Sequence, residues 1–499
     1  MKVELIKSLN YDKLKKILSN ETDKSEELID IIKQLEKERR IEIVSSAGRL
    51  SRYPKDVFEV LNLSQSKTAE QNQKFSQMVI GLGHTSITEH DYCLFAIKDV
   101  SPVIEQIIIA ERFSSFTIKS RREVDFSNVG FYTPDFHDRT GNIITNNQEV
   151  KREYQEYMMN LFAQYQKLEK AGIPKEDARF ILPYSYHSNI IMGIDAHTLR
   201  DMIEKFTKTK YANIQEVRQF GERLYEIAKE NIPYIIESID RYQGNLSSSV
   251  DDYIKDFIDE EKYQVLSSPK MINHSLNIDD TILISSLMRR YQYDYDKAKR
   301  IYEKACRKKP NFKEELIKKI AFESDKLELA QVNFEFQIPL SYAVLTHLTR
   351  HRTHPIMVPD FTPVGDLSQY KIPPKIKNTC EEQYKDIFNK NVKMYKHFKE
   401  DYGIRDEDLI YFTLSGNMVN IITNFDGKTL EHILRLRECN KTQWETRQMA
   451  YDIHKEIDKL EDAKYFSSIL GSTCVTQGIC NEGKECCGKV YALQKNKGI

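Results

Sequence analysis

Leu348-Thr349-Arg350-His351-Arg352-Thr353-His354-Pro355 follows an apolar run, Phe336 to Leu345, and places three basic side chains in succession. The run reads as a helix or a buried strand. On a helix, successive residues point about 100° apart, so at least one of the three side chains turns inward. A buried Arg or His needs an anion, a carboxylate or a ring system beside it. An ordinary basic helix C-terminus complementing the helix dipole has the same composition. The triplet alone leaves both readings open.

Arg350-His351-Arg352 resembles the signature of the flavin-dependent thymidylate synthases, which runs R-H-R-x-x-S-x-N-E-x-S-x-R-Y. After Arg352 the match stops. Pro355, Met357, Val358, Asp360 and Thr362 stand where that family has Ser, Asn, Glu, Ser and Arg. The missing part lies upstream, in Glu111-Arg112-Phe113-Ser114-Ser115-Phe116-Thr117-Ile118-Lys119-Ser120-Arg121-Arg122. This stretch keeps the last Arg of the triplet, the first Ser and the closing Ser-x-Arg, but has Ala110 and Glu111 for the first Arg and the His. The two copies are degenerate in complementary places.

Composition sets the frame. At 499 residues the chain has room for two large domains or roughly three smaller ones. The 74 Lys and Arg nearly cancel the 75 Asp and Glu, so no global field recruits nucleic acid or a membrane. Hydrophobic residues at 40% with 30% charged fit a soluble globular protein. No apolar run is long enough to span a bilayer, and the N-terminus lacks an apolar signal core. Eight cysteines in so long a chain make no disulfide framework. These features predict a cytoplasmic protein.

Residues 1–42 read as a charged helical extension, with Leu14, Ile17, Leu18, Leu28, Ile31, Ile32 and Leu35 at helical spacing. From Ile41 to Leu50 the short alternation suits a strand or a strand entering a loop. His84, Ser86 and Glu89 precede an alternating stretch, Tyr92 to Ile97, that predicts a strand. A capped loop opening a short helix explains that trio equally well. It also resembles the family's upstream flavin-holding element, and lies 23 residues or more before Arg112 at its near end. Asp177-Ala-Arg179-Phe-Ile-Leu-Pro183 resembles A-R-x-x-L-P, whose Arg reaches the nucleotide phosphate. Ile214-Gln-Glu-Val-Arg218 resembles Q-W-E-I-R, and Asp195 and His197 replace Asn and Arg in a looser match.

The second half repeats the order. Arg352 follows Arg112 by 240 positions, and Arg447 in Gln443-Trp-Glu-Thr-Arg447 follows Arg218 by 229. Such an offset indicates a tandem repeat, with a boundary in the polar stretch 244–275. The predicted division is 1–42, 43–255, 256–465 and a Cys-rich tail 466–499. The fold class is α+β: two flavin-dependent thymidylate-synthase-like repeats, each an antiparallel sheet with packed helices, forming a pseudo-dimer.

The resemblance also implies roles. The first repeat keeps Ser120, Arg122 and Arg179 for the phosphate. The second keeps Arg350, His351, Arg352 and Arg437 for the flavin and base, with Arg437 in the L-x-L-R element that polarises the uracil and His351 beside it as a catalytic group. The second repeat has Ile410 where the phosphate Arg would be, and the first has Phe206 where Arg437 would be. His84, Ser86, Glu89 and Arg112 fall on the flavin side. His347 stands at a nucleotide-contacting position. One composite site is expected, with FAD as cofactor, NADPH and methylenetetrahydrofolate as co-substrates, and a homodimer mimicking the family's tetramer. The product would be dTMP from dUMP.

The Asn-Glu pair is absent from both copies. A flavoenzyme acting on another pyrimidine nucleotide or an RNA uridine, or a non-catalytic flavin- or nucleotide-binding protein, therefore stays open; near-zero net charge disfavours large RNA. Cys474, Cys480, Cys486 and Cys487 lie within 14 residues. Their spacing is not a C-x2-C pair, but clustered thiolates can hold zinc or an iron–sulfur cluster, and free thiols are the plain alternative.

Overall fold

Residues 92–100 and 333–341 alternate apolar and polar side chains, and both form the long strand of a sheet. The structure is a computed structural model describing residues 1–6, 9–22, 24–258, 264–360 and 367–496. Thr362 and residues 259–263 of the predicted boundary stretch lie outside the described residues. The chain forms two units, Met1–Glu261 with Lys390–Leu414, and Lys262–Asn389 with Ser415–Ile499.

The first unit contains β1 (Lys2–Leu5), α1 (Ser25–Leu50), β2 (Tyr92–Val100), α2 (Pro102–Ile109), β3 (Ser114–Ile118), β4 (Ser188–Asp195), α3 (Ala196–Lys208) and α4 (Gln215–Asn231). Its sheet is antiparallel in the order β1-β2-β4-β3. Cys93, Phe95, Ile97 and Val100 of β2 face the core, the period-2 pattern that one buried sheet face demands. A register shift between Lys98 and Val100 leaves Asp99 at φ 60°.

The second unit contains β5 (Lys270–His274), β6 (Asn333–Ser341), α5 (Tyr342–Thr349), β7 (Ile356–Met357), β8 (Met418–Asp426), α6 (Gly427–Arg437) and α7 (Trp444–Asp458). Its sheet has the order β5-β6-β8-β7, again antiparallel. Phe334, Phe336, Ile338 and Leu340 alternate inward along β6. The sheet topology of the first unit thus recurs, strand for strand.

Side chains repeat as well as strands. Asp195 caps α3 by accepting from the Thr198 N–H at 2.9 Å, and Asp426 caps α6 by accepting from the Thr429 N–H at 2.8 Å. At the start of α2, Ser101 donates its backbone N–H (2.8 Å) and its hydroxyl (2.5 Å) to the Glu216 carboxylate of α4. At the end of β6, Ser341 makes the same two bonds, each 2.7 Å, to Glu445 of α7. Both clasps are buried, and each ties the end of the long strand to a helix over 100 residues away.

Two local expectations are corrected. Lys2–Leu5 is not helical; it is an edge strand paired to β2. Ile41–Leu50 is not a strand but the last part of the 26-residue α1. Ile41, Val44, Ser45 and Gly48 are buried at spacings of three and four, a helical period that overrides the short alternation of Ile-Glu-Ile-Val. The helix end is fixed by Arg49, whose Nη1 donates to Ser45 Oγ, Ser64 Oγ and Asn72 Oδ1, each at 2.8 Å. Among the described residues, no helix is long and apolar enough to cross a membrane.

Candidate active site

In the first unit, Ser120, Arg122 and Arg179 gather around one short segment. Ser120 Oγ accepts from the Arg122 N–H at 3.3 Å. Arg122 binds Glu176 through Nε (2.8 Å) and Nη2 (2.7 Å). Arg179 follows three residues later and donates Nε to the Glu176 carbonyl at 3.1 Å. Arg179 is 2% exposed, yet its Nη2 finds no hydrogen-bond partner among the described residues. Burial, with the Arg121 guanidinium nearby, lowers its pKa to about 10. A buried, unsatisfied guanidinium nitrogen is costly unless an anion meets it.

Arg121 is engaged differently. Its Nη1 donates to both Glu105 oxygens at 2.8 and 2.9 Å, and Ser188 Oγ adds a bond to the same carboxylate at 2.9 Å. Arg121 is thus closed in an ion pair, whereas Arg179 Nη2 has no hydrogen-bond partner among the described residues.

Other first-unit candidates stand at the surface. His84 Nε2 lies 2.8 Å from Arg52 Nη2, Glu89 lies 3.1 Å from His197 Nδ1, and His84, Ser86, Glu89 and Arg112 are exposed. His197, standing where the resemblance has an arginine, is thus held by Glu89.

In the second unit the triplet turns His351 inward and leaves Arg350 and Arg352 exposed. Arg437, at the end of α6, donates Nε to His351 Nε2 at 3.0 Å and Nη2 to the His347 carbonyl at 2.9 Å. His347 Nδ1 is 3.1 Å from Thr446 Oγ1 of α7. Burial, then the Arg437 charge and the nearby His354, His432 and Arg350, lower the His351 pKa to about 3. His351 is therefore a neutral acceptor, with its proton on Nδ1. The positive charge of the pair sits on Arg437, which His351 orients. His354, next along the chain, is buried with Nδ1 2.8 Å from Thr423 Oγ1.

Nothing in the sequence singled out Glu216 and Glu445, although both lie inside the quoted segments Ile214–Arg218 and Gln443–Arg447. Ser101 Oγ, the Ser101 N–H and Tyr411 Oη donate to Glu216, while burial pushes its pKa up to about 6. Glu176, the partner of Arg122, was hinted at only by its place three residues before Arg179. The tail cysteines are free thiols. Among the described residues, no group of three or more His, Cys, Asp or Glu is placed to hold a metal ion.

Comparison with known proteins agrees with the duplicated topology. The family model described as thymidylate synthase complementing protein matches twice, at residues 31–234 and 272–460. A flavin-dependent thymidylate synthase of Thermococcus onnurineus is 28% identical over 129 residues, 25% of this chain and 50% of that protein. One from Geobacter sulfurreducens is 28% identical over 177 residues, 35% of this chain and 72% of its own length. The chain thus spans only half the length of the first relative. A crystal structure of the Helicobacter pylori flavin-dependent thymidylate synthase with FAD and dUMP covers 40% of this chain and 94% of its own, at 19% identity and TM-score 0.31. A likeness at that level fixes neither fold nor function. The two family matches together cover most of the sequence, and the chain belongs to the flavin-dependent thymidylate synthase family, whose domain it carries twice.

Proposed function

We propose that the chain is an FAD-dependent thymidylate synthase that transfers a one-carbon unit to C5 of dUMP. The observation that carries this reading is Arg179 Nη2, buried and unsatisfied beside Arg122 and Ser120. A nucleotide phosphate carries close to two negative charges, and arginine forks bind its oxygens in pairs. Arg179 and Arg122 grip that group, and Ser120 donates a further hydrogen bond.

Carbon addition at C5 needs electron density at that atom and a cation at the carbonyl where charge develops. Arg437 supplies the cation. Its direction is set by His351 Nε2 and the His347 carbonyl, and His347 is steadied in turn by Thr446. A neutral His351 holds Arg437 without adding a competing charge. In this reading each repeat contributes a different duty to catalysis, and His347 acts as a positioning residue.

FAD suits the remaining cations. Arg350, Arg352 and Arg112 are exposed side chains of the charge a pyrophosphate requires, and His84, Ser86 and Glu89 add polar contacts on the flavin side. When bound, the flavin supplies the electrons that reduce the transferred carbon. NADPH as reductant, methylenetetrahydrofolate as carbon donor, a homodimeric assembly and a cytoplasmic setting complete the proposal.

A second reading is favoured by Thr117-Ile118 and Met357-Val358, which replace the signature Asn-Glu in both repeats. It keeps the flavin and the nucleotide but takes another pyrimidine. Rescue of a thymidine auxotroph by the full chain separates the two: growth without thymidine supports dUMP, and a yellow, flavin-bearing protein that never rescues supports the other pyrimidine.

A further inference from the structure

A cavity of about 700 Å³ lies within the second unit, between residues 265–269, the loop 368–374 and the first turns of α7. Hydrogen bonds between backbone and side chains fix its walls. The Val265 N–H donates to Gln369 Oε1 at 2.8 Å, and the Leu266 N–H donates to Asn420 Oδ1 at 3.1 Å. Tyr384 Oη holds the Lys371 carbonyl at 2.7 Å, and Tyr370 is stacked on Phe388 with centroids 4.1 Å apart. The volume is that of a small-ligand site.

Its lining joins flat rings to cations. Trp444, the one tryptophan of the chain, and Tyr370 supply the rings. Lys371 and Arg447 supply the charge, and neither pairs with a carboxylate among the described residues. Arg447 Nη1 instead donates to the carbonyls of Asn440 (2.9 Å) and Thr442 (3.3 Å). The acids in the wall are already engaged: Glu445 holds Ser341, and Asp452 accepts from Gln448 at 3.0 Å and Lys455 at 3.4 Å.

The first repeat shows what an occupied cation looks like on the same helix. There Arg218 has Glu222 one turn on, at 3.9 Å. The corresponding residue of the second repeat is Tyr451, which leaves Arg447 uncompensated. At the position of Trp444 the first repeat has Gln215, which is bonded to Asp135 at 2.9 Å. The second repeat thus differs at both positions in the direction of a ring and an anion.

We propose that this cavity binds a planar aromatic ring bearing an anionic tail, the ring against Trp444 and Tyr370 and the tail between Lys371 and Arg447. Ring stacking supplies orientation and the paired cations select the tail. None of the residues assigned to catalysis lines the cavity. Even so, Thr446, which touches His347, adjoins the lining residues Glu445 and Arg447.

Trp444 makes the test direct, because the one tryptophan of the chain lines this cavity. The full chain is titrated with folic acid, a ring with a carboxylate tail, and with dUMP, a ring with a phosphate tail, and calorimetry is run in parallel. Saturable quenching by either is expected and tells which tail is preferred. Lys371→Glu, at a side chain with no hydrogen bond or ion pair among the described residues, is expected to weaken that ligand at least tenfold. Arg179→Met is expected to leave the quenching of Trp444 unchanged, whatever it does to dUMP at the Arg122 and Arg179 site. Absence of saturable binding by both probes, or a Lys371→Glu titration equal to the wild type, overturns the proposal.

Discussion

Arg437 Nε and His351 Nε2 are 3.0 Å apart, with the arginine donating and the imidazole accepting. A protonated imidazole has no lone pair to offer, so the bond requires neutral His351. Burial and the surrounding cations enforce that state by lowering its pKa to about 3. Arg437 is aimed by a histidine that keeps out of the charge balance.

Arg437→Ala is expected to lower kcat for thymidylate formation by about 10²–10³, the usual cost of removing one preorganised donor at developing charge. His351→Ala should cost less, because Arg437 retains its bond to the His347 carbonyl. Steady-state kinetics on both variants checks the order; equal losses would mean that His351 touches the reacting groups itself.

The histidine also predicts a pH response. Its folded pKa lies below the unfolded value, so the unfolded chain binds the proton more readily between the two. Stability should be full above about pH 6.5 and fall as pH drops toward about 3. His351→Gln should flatten part of that fall, read as Tm against pH.

Glu216 behaves in the opposite sense. Its folded pKa, about 6, is raised above the ordinary carboxylate value. It therefore contributes stability below the unfolded pKa that is lost as pH rises through about 6, an effect of roughly 2 kcal/mol. Glu216→Gln keeps the shape and can still accept from the Ser101 N–H, so the pH dependence in that window should disappear. A Tm profile unchanged by the substitution would contradict this.

Arg179 offers a separable prediction. Arg179→Met removes a charge-assisted contact to phosphate and should weaken dUMP by about 2 kcal/mol, roughly thirty-fold. The same change removes an unsatisfied buried polar nitrogen, so the ligand-free protein should melt no lower than the wild type. Calorimetric titration and melting curves measure the two effects independently. Lower stability with unchanged affinity would make Arg179 a structural residue.

Much of this was legible in the chain, for identifiable reasons. The paired signatures around Arg112 and Arg352 announced the duplication because a repeat keeps its spacing even where individual residues change. Tyr92–Ile97 declared itself a strand through its period of two. Ser101–Glu216 and Ser341–Glu445 were hidden because each joins residues more than 100 positions apart, and no local pattern records such a pairing. Ile41–Leu50 misled because four alternating residues outweighed the Ile41, Val44 and Gly48 spacing, which only packing could decide. The neutrality of His351 depends on what surrounds it, and a string of basic letters reads as three charges.

The most direct measurement is dTMP formation by the purified full chain supplied with FAD, NADPH, methylenetetrahydrofolate and dUMP. The account predicts product from the wild type, with Arg179→Met restored by raising dUMP and Arg437→Ala not restored at any concentration. No dTMP from a flavin-loaded wild type, or full activity in both variants, would contradict it.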